Sequence, residues 1–596
     1  MPRPVKQSAT STAALERGTA PTQARLSTDA MGASGDRATL NRLNAAVGEL
    51  KALAIQPLLQ NAVNALRKDD HQAGAEWAIK ALEQDERSGF GWYMLAIARE
   101  LAGDFKGSIT CYEAAIALLP DHAELGNNLG RLAFRLGQPE VAERLFRHFL
   151  ARFPDHPEGA NNLACALRSQ SRFDEAIEVL KPALTKDPRH PMVWNTLGTV
   201  MAEQGDPVNA QIFFDEALRQ DAGFAKARYN RGNMRMAIGE IAAALEDCDT
   251  ALSQTVLESE RQMMRLARST ILINLGRIGE GWDDYEARLH PQFADCTQFL
   301  VERPRWEPGM DLAGKSLLVI GEQGLGDEIL FANQLPDIIE ALGPEGRLTL
   351  AVEPRLVSLF QRSFPQAEVG RHNTYSVEGR TVRAVQFLSG RMDEIDLWTP
   401  IGSALRQFRR SVDDFPVRDR YMIADPVRVA HWREVLKTAP AGKKVGLLWK
   451  SAIASAGRHR YFSPFEQWAP ILATPGVCFV NLQYGDCSEE IEQARRDFGV
   501  EIWTPPGIDL KQDLDDLAAL SCALDLVVGF ANATSNIAAA CGAPCWMVST
   551  PGAWPRVGTD RYPWYPQMRV FQPPAFREWE PVMAQVAQAL AEFAAS

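Results

Sequence analysis

Several features that would direct this chain to particular function classes are missing. No apolar run in its 596 residues reaches the length of a membrane-spanning helix. The nine cysteines are scattered, without CxxC or a Cys/His cluster, so no metal site is predicted, and Cys541 and Cys545 are interpreted as small core residues. A formal net charge of −12 argues against affinity for nucleic acid or anionic membranes. We therefore expect a cytoplasmic protein in a reducing compartment.

The amino-terminal segment also lacks a recognisable targeting signal. Residues 1–38 are rich in Ala, Ser, Thr and Arg and have no apolar core of the kind a signal peptide carries. This composition predicts a disordered tail. The remaining chain is too long for one hydrophobic core and is expected to form roughly three to four folding units.

A 34-residue repeat occupies much of the first half. One column of the repeat is Leu95, Leu129, Leu163, Leu197 and then Arg231. A column of small residues is Ala96, Gly130, Ala164, Gly198 and Gly232, and a bulky column is Tyr112, Phe146, Leu180, Phe214 and Cys248. This is the tetratricopeptide pattern of two antiparallel helices per repeat, with small residues where helices approach closely. It predicts an all-α solenoid over 39–290, a class that binds other proteins.

Asparagines recur at the same interval in the first helix of the repeats. Asn127, Asn161 and Asn195 form one column. A second column contains Asn128, Asn162 and Asn230, with Thr196 filling its gap. First helices line the inner face of such solenoids, and a side-chain amide can pair with both backbone groups of an extended peptide. We predict that these residues bind a protein client. The alternative is that they join one repeat to the next.

The second half has a different pattern. Short apolar runs are predicted as buried strands at 315–321, 347–352, 381–387, 444–449, 477–483, 524–530 and 545–549, and helical stretches separate most of them. We expect a linker at 291–314 and a break near 413–426, which gives an amino lobe at 315–425 and a carboxyl lobe at 426–596. Two Rossmann-like lobes facing a cleft describe the GT-B glycosyltransferase architecture.

The sharpest local motif is GEQGLGDEILFANQLP (321–336), at the end of the first predicted strand. Gly324 and Gly326 allow a tight turn, and a helix is predicted from about Asp327. Asp327 either caps that helix or is a carboxylate at the mouth of a cleft that takes a proton from an acceptor hydroxyl. Glu328 is the alternate base. The glycine spacing disfavours a GxGxxG dinucleotide site.

The motif and later blocks resemble a known group of enzymes. GLGDEILFANQLP is similar to the amino-lobe motif of bacterial heptosyltransferase-like enzymes, in which the Asp matching Asp327 acts as base. The stretches 445–472, 475–486, 513–549 and 563–571 also resemble that group. After a tetratricopeptide array, these blocks resemble the FlmG/FlbA-type flagellin glycosyltransferases over most of residues 50–596.

The phosphate loop departs from the pattern of the heptosyltransferase-like enzymes. Where those enzymes have an Asp-Thr pair and a downstream His, this chain has Ala531, Asn532 and Asn536. The resemblance to the flagellin-modifying group implies a different donor, a CMP-activated nonulosonic acid, which carries one phosphate and a sugar carboxylate. The segment 529–536 could hold it through backbone N–H groups at a helix start, helped by Asn532, Thr534 and Asn536. Gly324 and Gly326 of the first motif are also predicted to help bind the donor.

Three cations are predicted to bind the anionic groups of the donor. Lys450 follows a buried strand, and Arg458 and Arg460 lie in the loop after it. The alternative is a solvated basic loop.

Two other motifs have both a functional and a structural interpretation. Asp513 and Asp515 spell the DxD of metal-dependent transferases, but they open a helix, so capping is favoured. Trp564 and Tyr565 either stack on a base or sugar or pack between the lobes.

These observations predict a metal-independent O-glycosyltransferase. Its repeat array would capture flagellin, and its GT-B half would transfer a pseudaminic acid-like sugar from the CMP donor to Ser or Thr, with no cofactor besides the nucleotide sugar. One alternative is a transferase that acts on a surface glycan. Another is a non-catalytic client-binding adaptor with a degenerate transferase half.

Overall fold

The structure, a computed structural model, describes residues 37–68, 70–293, 295–377, 380–451 and 461–596. Their contacts define two compact units, one ending at Asp121 and the other spanning His122–Ser596. Across these described ranges, no helix is both long enough and apolar enough to cross a bilayer.

The described part of the first unit contains four helices: α1 (Arg37–Arg67), α2 (His71–Gln84), α3 (Gly89–Leu101) and α4 (Phe105–Leu118). The last three begin at a capping side chain, since Asp70, Ser88 and Asp104 each accept a hydrogen bond from the backbone N–H three residues later. These caps locate the helix starts, and α1 packs on α2 and α3 on α4, as the repeat pattern predicts.

The second unit opens with ten further helices of the repeat array. They are α5 (Ala123–Arg135), α6 (Pro139–Arg152), α7 (Pro157–Ser169), α8 (Phe173–Lys186), α9 (Pro191–Gln204), α10 (Pro207–Gln220), α11 (Ala225–Ile238), α12 (Ile241–Gln254), α13 (Glu258–Asn274) and α14 (Ile278–Tyr285). Four of them begin with proline in the first helical turn, where its missing N–H leaves no bond unmade.

The small and bulky columns of the repeat meet inside each helix pair. A methyl group added at Gly130 would lie 2.6 Å from the ring of Phe146, and one at Gly198 would lie 2.6 Å from the ring of Phe214. Glycine is therefore needed because an aromatic side chain of the second helix lies against the backbone of the first. The predicted all-α tetratricopeptide solenoid is confirmed in this respect.

The described residues in the rest of the second unit form three sheets. Their strands are β1 (Gln298–Leu300), β2 (Ser316–Ile320), β3 (Arg347–Val352), β4 (Glu368–Arg371), β5 (Asn373–Val377), β6 (Arg380–Ala384), β7 (Leu397–Pro400), β8 (Lys443–Leu448), β9 (Val477–Asn481), β10 (Ile502–Trp503), β11 (Leu526–Phe530), β12 (Cys545–Val548) and β13 (Arg569–Phe571). Two sheets are fully parallel, with orders β4-β3-β2-β7 and β10-β9-β8-β11-β12-β13. The small third sheet has the order β1-β6-β5.

Helices connect these strands: α15 (Leu325–Phe331), α16 (Leu335–Leu342), α17 (Val357–Ser363), α18 (Leu405–Phe408), α19 (Pro426–Leu436), α20 (Ala469–Leu472), α21 (Ser488–Asp497), α22 (Leu514–Ala523), α23 (Ala533–Ala540) and α24 (Trp579–Ala595). In each parallel sheet the strand order reverses beside a central strand, next to β2 in one and between β8 and β11 in the other. Ligands of open α/β sheets bind at the carboxyl ends of strands at such points.

Most predicted strands are confirmed, with small shifts at their ends. β3 occupies the predicted residues, and 381–387 is shortened because the chain turns into a 3-10 helix at Gln386–Leu388 after β6. Cys541 and Cys545 are buried, as expected of core residues. The division into lobes at 425/426 and the linker at 291–314 stay predictions about domain organisation.

The last repeat and the α/β part share one hydrophobic core. Ile278 and Trp282 of α14 belong to the same buried cluster as Trp306, Phe331 and Trp564. The indole N–H of Trp282 donates to the carbonyl of Arg409 at 2.8 Å, which satisfies the polar atom of this buried ring. The residues at 291–314 thus connect elements that pack against each other directly.

Candidate functional site

A cleft of about 720 Å³ opens where β2, β3 and β11 end at their carboxyl termini. Two strand-to-helix connections line it. We call residues 321–326, which run from the end of β2 into the start of α15, the first turn, and residues 531–532, between β11 and α23, the second turn. α15 and α23 pack on each other, so the two turns lie close together.

Asp327 is the third residue of α15 and lies on the wall of the cleft. Its Oδ2 accepts a hydrogen bond from the Gly324 N–H at 3.1 Å, which caps the helix. Capping and exposure to the cleft therefore occur together, and the two interpretations of this residue do not exclude each other.

The tight turn before Asp327 uses its residues differently from the prediction. The left-handed position is taken by Gln323, with φ of 59°, whereas Gly324 has an extended backbone. Gly326 serves a close approach, since a methyl group added there would lie 3.2 Å from Asn536 Nδ2. Both glycines line the cleft, where they were predicted to help bind the donor.

Glu328, the alternate base, is buried and does not line the cleft. Its Oε2 accepts from the Glu353 N–H at 2.9 Å, and its Oε1 lies 2.9 Å from His372 Nε2 and 3.5 Å from Arg383 Nη1. A buried carboxylate held by three partners is not accessible from the cleft. Of the two acidic residues, only Asp327 lies on the cleft wall.

The second turn is held by its own residues. Asn532 Oδ1 accepts from the Ser535 N–H at 3.1 Å, and Ser535 Oγ accepts from the Asn532 N–H at 2.9 Å, which is a reciprocal cap of α23. Asn532 Nδ2 is enclosed and makes no hydrogen bond. Thr534 is buried and lines the cleft. Two polar side chains predicted to bind the donor thus lie at this helix start.

Asn536 connects the two turns. Its Nδ2 donates to the Gly326 carbonyl at 3.2 Å, and its Oδ1 accepts from the Tyr565 hydroxyl at 3.2 Å. Both polar ends of the amide are engaged within the protein. Asn536 therefore fixes the spacing between the turns, in addition to lining the cleft.

The predicted cations are only partly described. Lys450 Nζ forms an ion pair with Glu490 in a half-buried position, and Lys450 is not among the residues that line the cleft. Its backbone N–H donates to Gln483 Oε1 at 3.0 Å. Arg458 and Arg460 lie outside the described residues.

Two cations that sequence reasoning missed do line the cleft, Arg355 and Lys511. Arg355 lies in the 3-10 helix Pro354–Leu356, directly after β3, and its Nη1 donates to the Lys511 carbonyl at 2.7 Å. Its Nε donates to Glu353 Oε1 at 2.8 Å. The sequence did contain a signal for Arg355, because this residue directly follows β3, a strand next to the central strand β2. Ligands of such sheets bind at the carboxyl ends of these strands.

Aromatic side chains supply much of the remaining wall: Tyr461, Phe462, Tyr484, Trp554 and Tyr562. Tyr562 is buried, but the faces of the other four suit stacking on a nucleobase or a sugar. Trp564 and Tyr565, which were also considered for stacking, are buried instead. Trp564 packs edge-on against Phe415 with ring centroids 4.8 Å apart, so the packing interpretation holds for it.

The DxD residues have structural partners. Asp513 caps α22 by accepting from the Asp516 N–H at 3.2 Å, and Asp515 pairs with Arg362. Within the described part of the chain, no group of three or more His, Cys, Asp or Glu side chains is placed to hold a metal ion. Capping was the favoured interpretation of this motif, and the contacts agree with it.

The asparagine columns bond to each other across repeats. Asn127 Oδ1 accepts from Asn162 Nδ2 at 3.1 Å, Asn161 Oδ1 from the Thr196 hydroxyl at 2.5 Å, and Asn195 Oδ1 from Asn230 Nδ2 at 2.8 Å.

Each bond thus joins one repeat to the next at an offset of 35 residues. Asn127 and Asn195 are buried, whereas Asn161, Asn162, Asn230 and Asn128, which accepts from Arg131, are half-buried. The ladder is therefore part of the inter-repeat packing, and a role in client binding stays a prediction.

Comparison with known proteins identifies the array and one full-length relative. The tetratricopeptide repeat family matches residues 93–157, 127–191 and 161–223. Protein FlbA of Caulobacter vibrioides is 50% identical over 568 residues, which cover 95% of this chain and 95% of that protein.

Two solved structures of tetratricopeptide proteins are similar to part of this chain. A tetratricopeptide protein of Thermus thermophilus is 21% identical and covers 31% of this chain and all of its own, with a TM-score of 0.29. One from Parabacteroides merdae is 13% identical and covers 39% of this chain and 91% of its own, with a TM-score of 0.35.

Proposed function

Because this chain belongs to the FlbA family of tetratricopeptide proteins, we propose that it is a flagellin glycosyltransferase with a GT-B catalytic half. The observation that supports this most is the position of Asp327, a carboxylate on the wall of a cleft that two parallel sheets approach with their carboxyl ends. A carboxylate in that place suits a general base for an acceptor hydroxyl.

In the proposed reaction a serine or threonine hydroxyl of flagellin attacks the anomeric carbon of the sugar. The new carbon–oxygen bond forms as the bond from that carbon to the donor phosphate breaks, and the nucleoside monophosphate leaves with the electron pair. Asp327 takes the hydroxyl proton. Because the sugar becomes cation-like, stabilising the departing phosphate matters more than the base.

The proposed donor is CMP linked to a nonulosonic acid of the pseudaminic type, with one phosphate and one carboxylate. Arg355 and Lys511 are the described cations on the cleft wall, and the start of α23 offers backbone N–H groups. Arg458 and Arg460 keep their proposed role in binding these anionic groups. Lys450 could contribute only by exchanging its pairing with Glu490.

A non-catalytic adaptor is the second candidate, and one observation favours it. Asn536, which stands where the heptosyltransferase-like enzymes have histidine, uses both ends of its amide inside the protein. A transferase half retained only as a scaffold would tolerate this. Transfer to a surface glycan is disfavoured because tetratricopeptide arrays provide extended surfaces for protein partners.

Calorimetry with CMP, UDP and ADP, combined with the intact mass of co-expressed flagellin, tests the proposal. We expect CMP to bind best and flagellin to gain the mass of the sugar. Arg355→Ala should weaken nucleotide binding at least about tenfold, since a charge-assisted hydrogen bond contributes about 1.5–3 kcal/mol. Arg347→Ala, an exposed arginine at the opposite end of β3, is the matched control.

Three results would decide between the candidates. Tighter binding of ADP or UDP than of CMP would contradict the proposed CMP donor. It would not contradict transferase activity. Flagellin that binds but keeps its mass would support the adaptor. Retention of flagellin by a variant that lacks α1–α12 but keeps the last repeat, which shares its core with the α/β part, would contradict capture by the repeats.

A further inference from the structure

The first turn is held in a constrained conformation. Gln323 has a left-handed backbone, which side chains other than glycine rarely adopt without external support. Arg383 of β6 supplies part of that support, because it donates to the Gly321 carbonyl and, at 3.1 Å, to the Gln323 carbonyl. One side of the turn is thus fixed by the third sheet.

The other side of the turn is fixed by the repeat array. Arg288 lies in the 3-10 helix Glu286–Leu289, which continues α14 of the last repeat. Its Nε donates to Glu322 Oε2 at 2.8 Å, and its Nη2 donates to Glu322 Oε1 at 2.6 Å. The side chains of Arg288 and Glu322 are only 1% and 2% exposed, so this two-bonded pair is screened from water.

Glu322 Oε1 and both terminal nitrogens of Arg288 have further partners. Glu322 Oε1 also accepts from the Gly402 N–H at 2.7 Å, and Arg288 also donates to Ser403 Oγ at 2.8 Å and Glu286 Oε1 at 2.9 Å. Burial alone would lower the pKa of Arg288, but its acidic neighbours outweigh burial and raise it. The guanidinium is therefore charged and orients the Glu322 carboxylate.

The array also supports the cleft at a second point. Trp282 of α14 packs edge-on against Trp554, a residue of the cleft wall, with ring centroids 5.9 Å apart. Asn274 of α13 donates to the Gly552 carbonyl at 3.2 Å in the same loop. The last repeat thus contacts both the turn that precedes Asp327 and the aromatic wall beside it.

We propose that Arg288 is a positioning residue that acts through Glu322 to hold the first turn and so to direct Asp327 into the cleft. The last tetratricopeptide repeat then belongs to the catalytic unit as well as to the client-binding array. The role assigned to Asp327 rests on the proposed function. The ordering of the turn by Arg288 does not.

Hydrogen–deuterium exchange of the full-length chain tests the ordering. Arg288→Met leaves Glu322 buried without its partner and lowers the melting temperature, which by itself would indicate only a structural role. The informative variant is Arg288→Met combined with Glu322→Met, because an apolar pair of similar size removes the uncompensated charge. We expect its melting temperature to return towards that of the wild type, while amides of residues 321–328 exchange at least tenfold faster.

Activity provides the second readout. In the double methionine variant we expect kcat for transfer to flagellin to fall at least tenfold, with KM for flagellin and nucleotide affinity within twofold of the wild type. Arg277→Met is the control, since Arg277 pairs with Glu280 on the exposed surface near the same repeat. It should change neither exchange nor kcat.

Glu322→Gln, which keeps the shape of the side chain and loses its charge, covers the case in which the double variant does not fold. It should raise exchange at 321–328 and leave exchange in α23 unchanged. Protection at 321–328 equal to the wild type in whichever of these two variants folds would overturn the proposal. If these variants exchange faster but the wild-type chain transfers no sugar, the ordering of the first turn by Arg288 is still supported. Only the proposed function is then contradicted.

Discussion

The two turns that meet at the cleft are held by different kinds of contact. The second turn depends on residues within four positions of itself, because Asn532 and Ser535 cap α23 reciprocally. The first turn depends on Arg288 and Arg383, which lie 34 and 62 residues from their partners in the sequence. One turn would therefore keep its form in many contexts, whereas the other requires the last repeat and the third sheet.

The largest effect is expected from a change of Asp327, the residue that directly follows the first turn. Asp327→Asn keeps the shape and most of the capping ability of this residue, so the free energy of unfolding should change by no more than about 1 kcal/mol. Loss of a general base should slow transfer roughly 100- to 10,000-fold. Flagellin mass and thermal melting are measured on the same preparation.

Asp425→Asn is the matched control for that experiment. Asp425 caps α19 by accepting from the Val427 and Arg428 N–H groups and does not line the cleft. It should leave the rate unchanged. Normal glycosylation by Asp327→Asn would mean that Asp327 is only a cap, and the first turn would then differ from the second in stability alone.

Acid should loosen the first turn before the second, because Glu286 pairs with Arg288 and Arg288 holds the first turn through Glu322. Burial alone would raise the pKa of Glu286, but Arg288 and Arg305 outweigh burial and lower it to about 2 from an ordinary value of 4.5. A lowered folded-state pKa gives stability that is complete above about pH 4.5 and is lost as the pH falls towards 2. Glu286 thus contributes at most about 3 kcal/mol.

Glu286→Gln should remove that part of the pH dependence. We expect it to destabilise the protein at neutral pH and to flatten the unfolding free energy between about pH 4.5 and 2, as measured by urea titration at several pH values. Glu280→Gln, an exposed carboxylate near the same repeat, should leave the curve almost unchanged. An unaltered curve for Glu286→Gln would show that this cluster does not stabilise the folded state.

A smaller effect is expected from the second turn. Asn532→Ala removes the cap of α23 and should cost about 1 kcal/mol of unfolding free energy, whereas Asn532→Ser keeps a capping oxygen and should cost less. Exchange of amides at the start of α23 should rise while that of residues 321–323 stays the same. A rise at both turns would mean that the cap of α23 also supports the first turn, through the bond from Asn536 to Gly326.

The smallest change is expected at Gln323. Glycine adopts its left-handed backbone without strain, so Gln323→Gly should raise the unfolding free energy by less than about 1 kcal/mol, since added freedom of the unfolded chain offsets part of the gain. Gln323→Val should lower it, because β-branched residues are disfavoured there. Urea unfolding of both variants measures the strain that Arg288 and Arg383 hold in place.

Features that depend on neighbouring residues could be predicted from the sequence. The 34-residue columns predicted the helix pairs, and apolar runs predicted strands such as β3. Asp513 at a helix start predicted a cap. Each of these follows from local geometry, in which a few residues suffice to satisfy backbone hydrogen bonds or to fill one face.

Contacts between distant segments could not be predicted in this way. Lys450 was expected to be available to an anion, but Glu490 lies within reach only after the chain has passed through β9 and into α21. Arg288 and Glu322 carry no motif that marks them as partners. The asparagine columns were recognised, but the offset of 35 that bonds one column to the other emerges only from the stacking of repeats.

That offset has a consequence for how such an array can change in length. If residues 161–194 were deleted, Thr196 would take the place of Asn162 and its hydroxyl would meet Asn127, as it now meets Asn161. Whole repeats can therefore be removed or duplicated in the gene without an orphaned amide, whereas a single inserted residue in a first helix would separate the partners. The array can lengthen its reach in steps of one repeat while the last repeat stays attached to the α/β half.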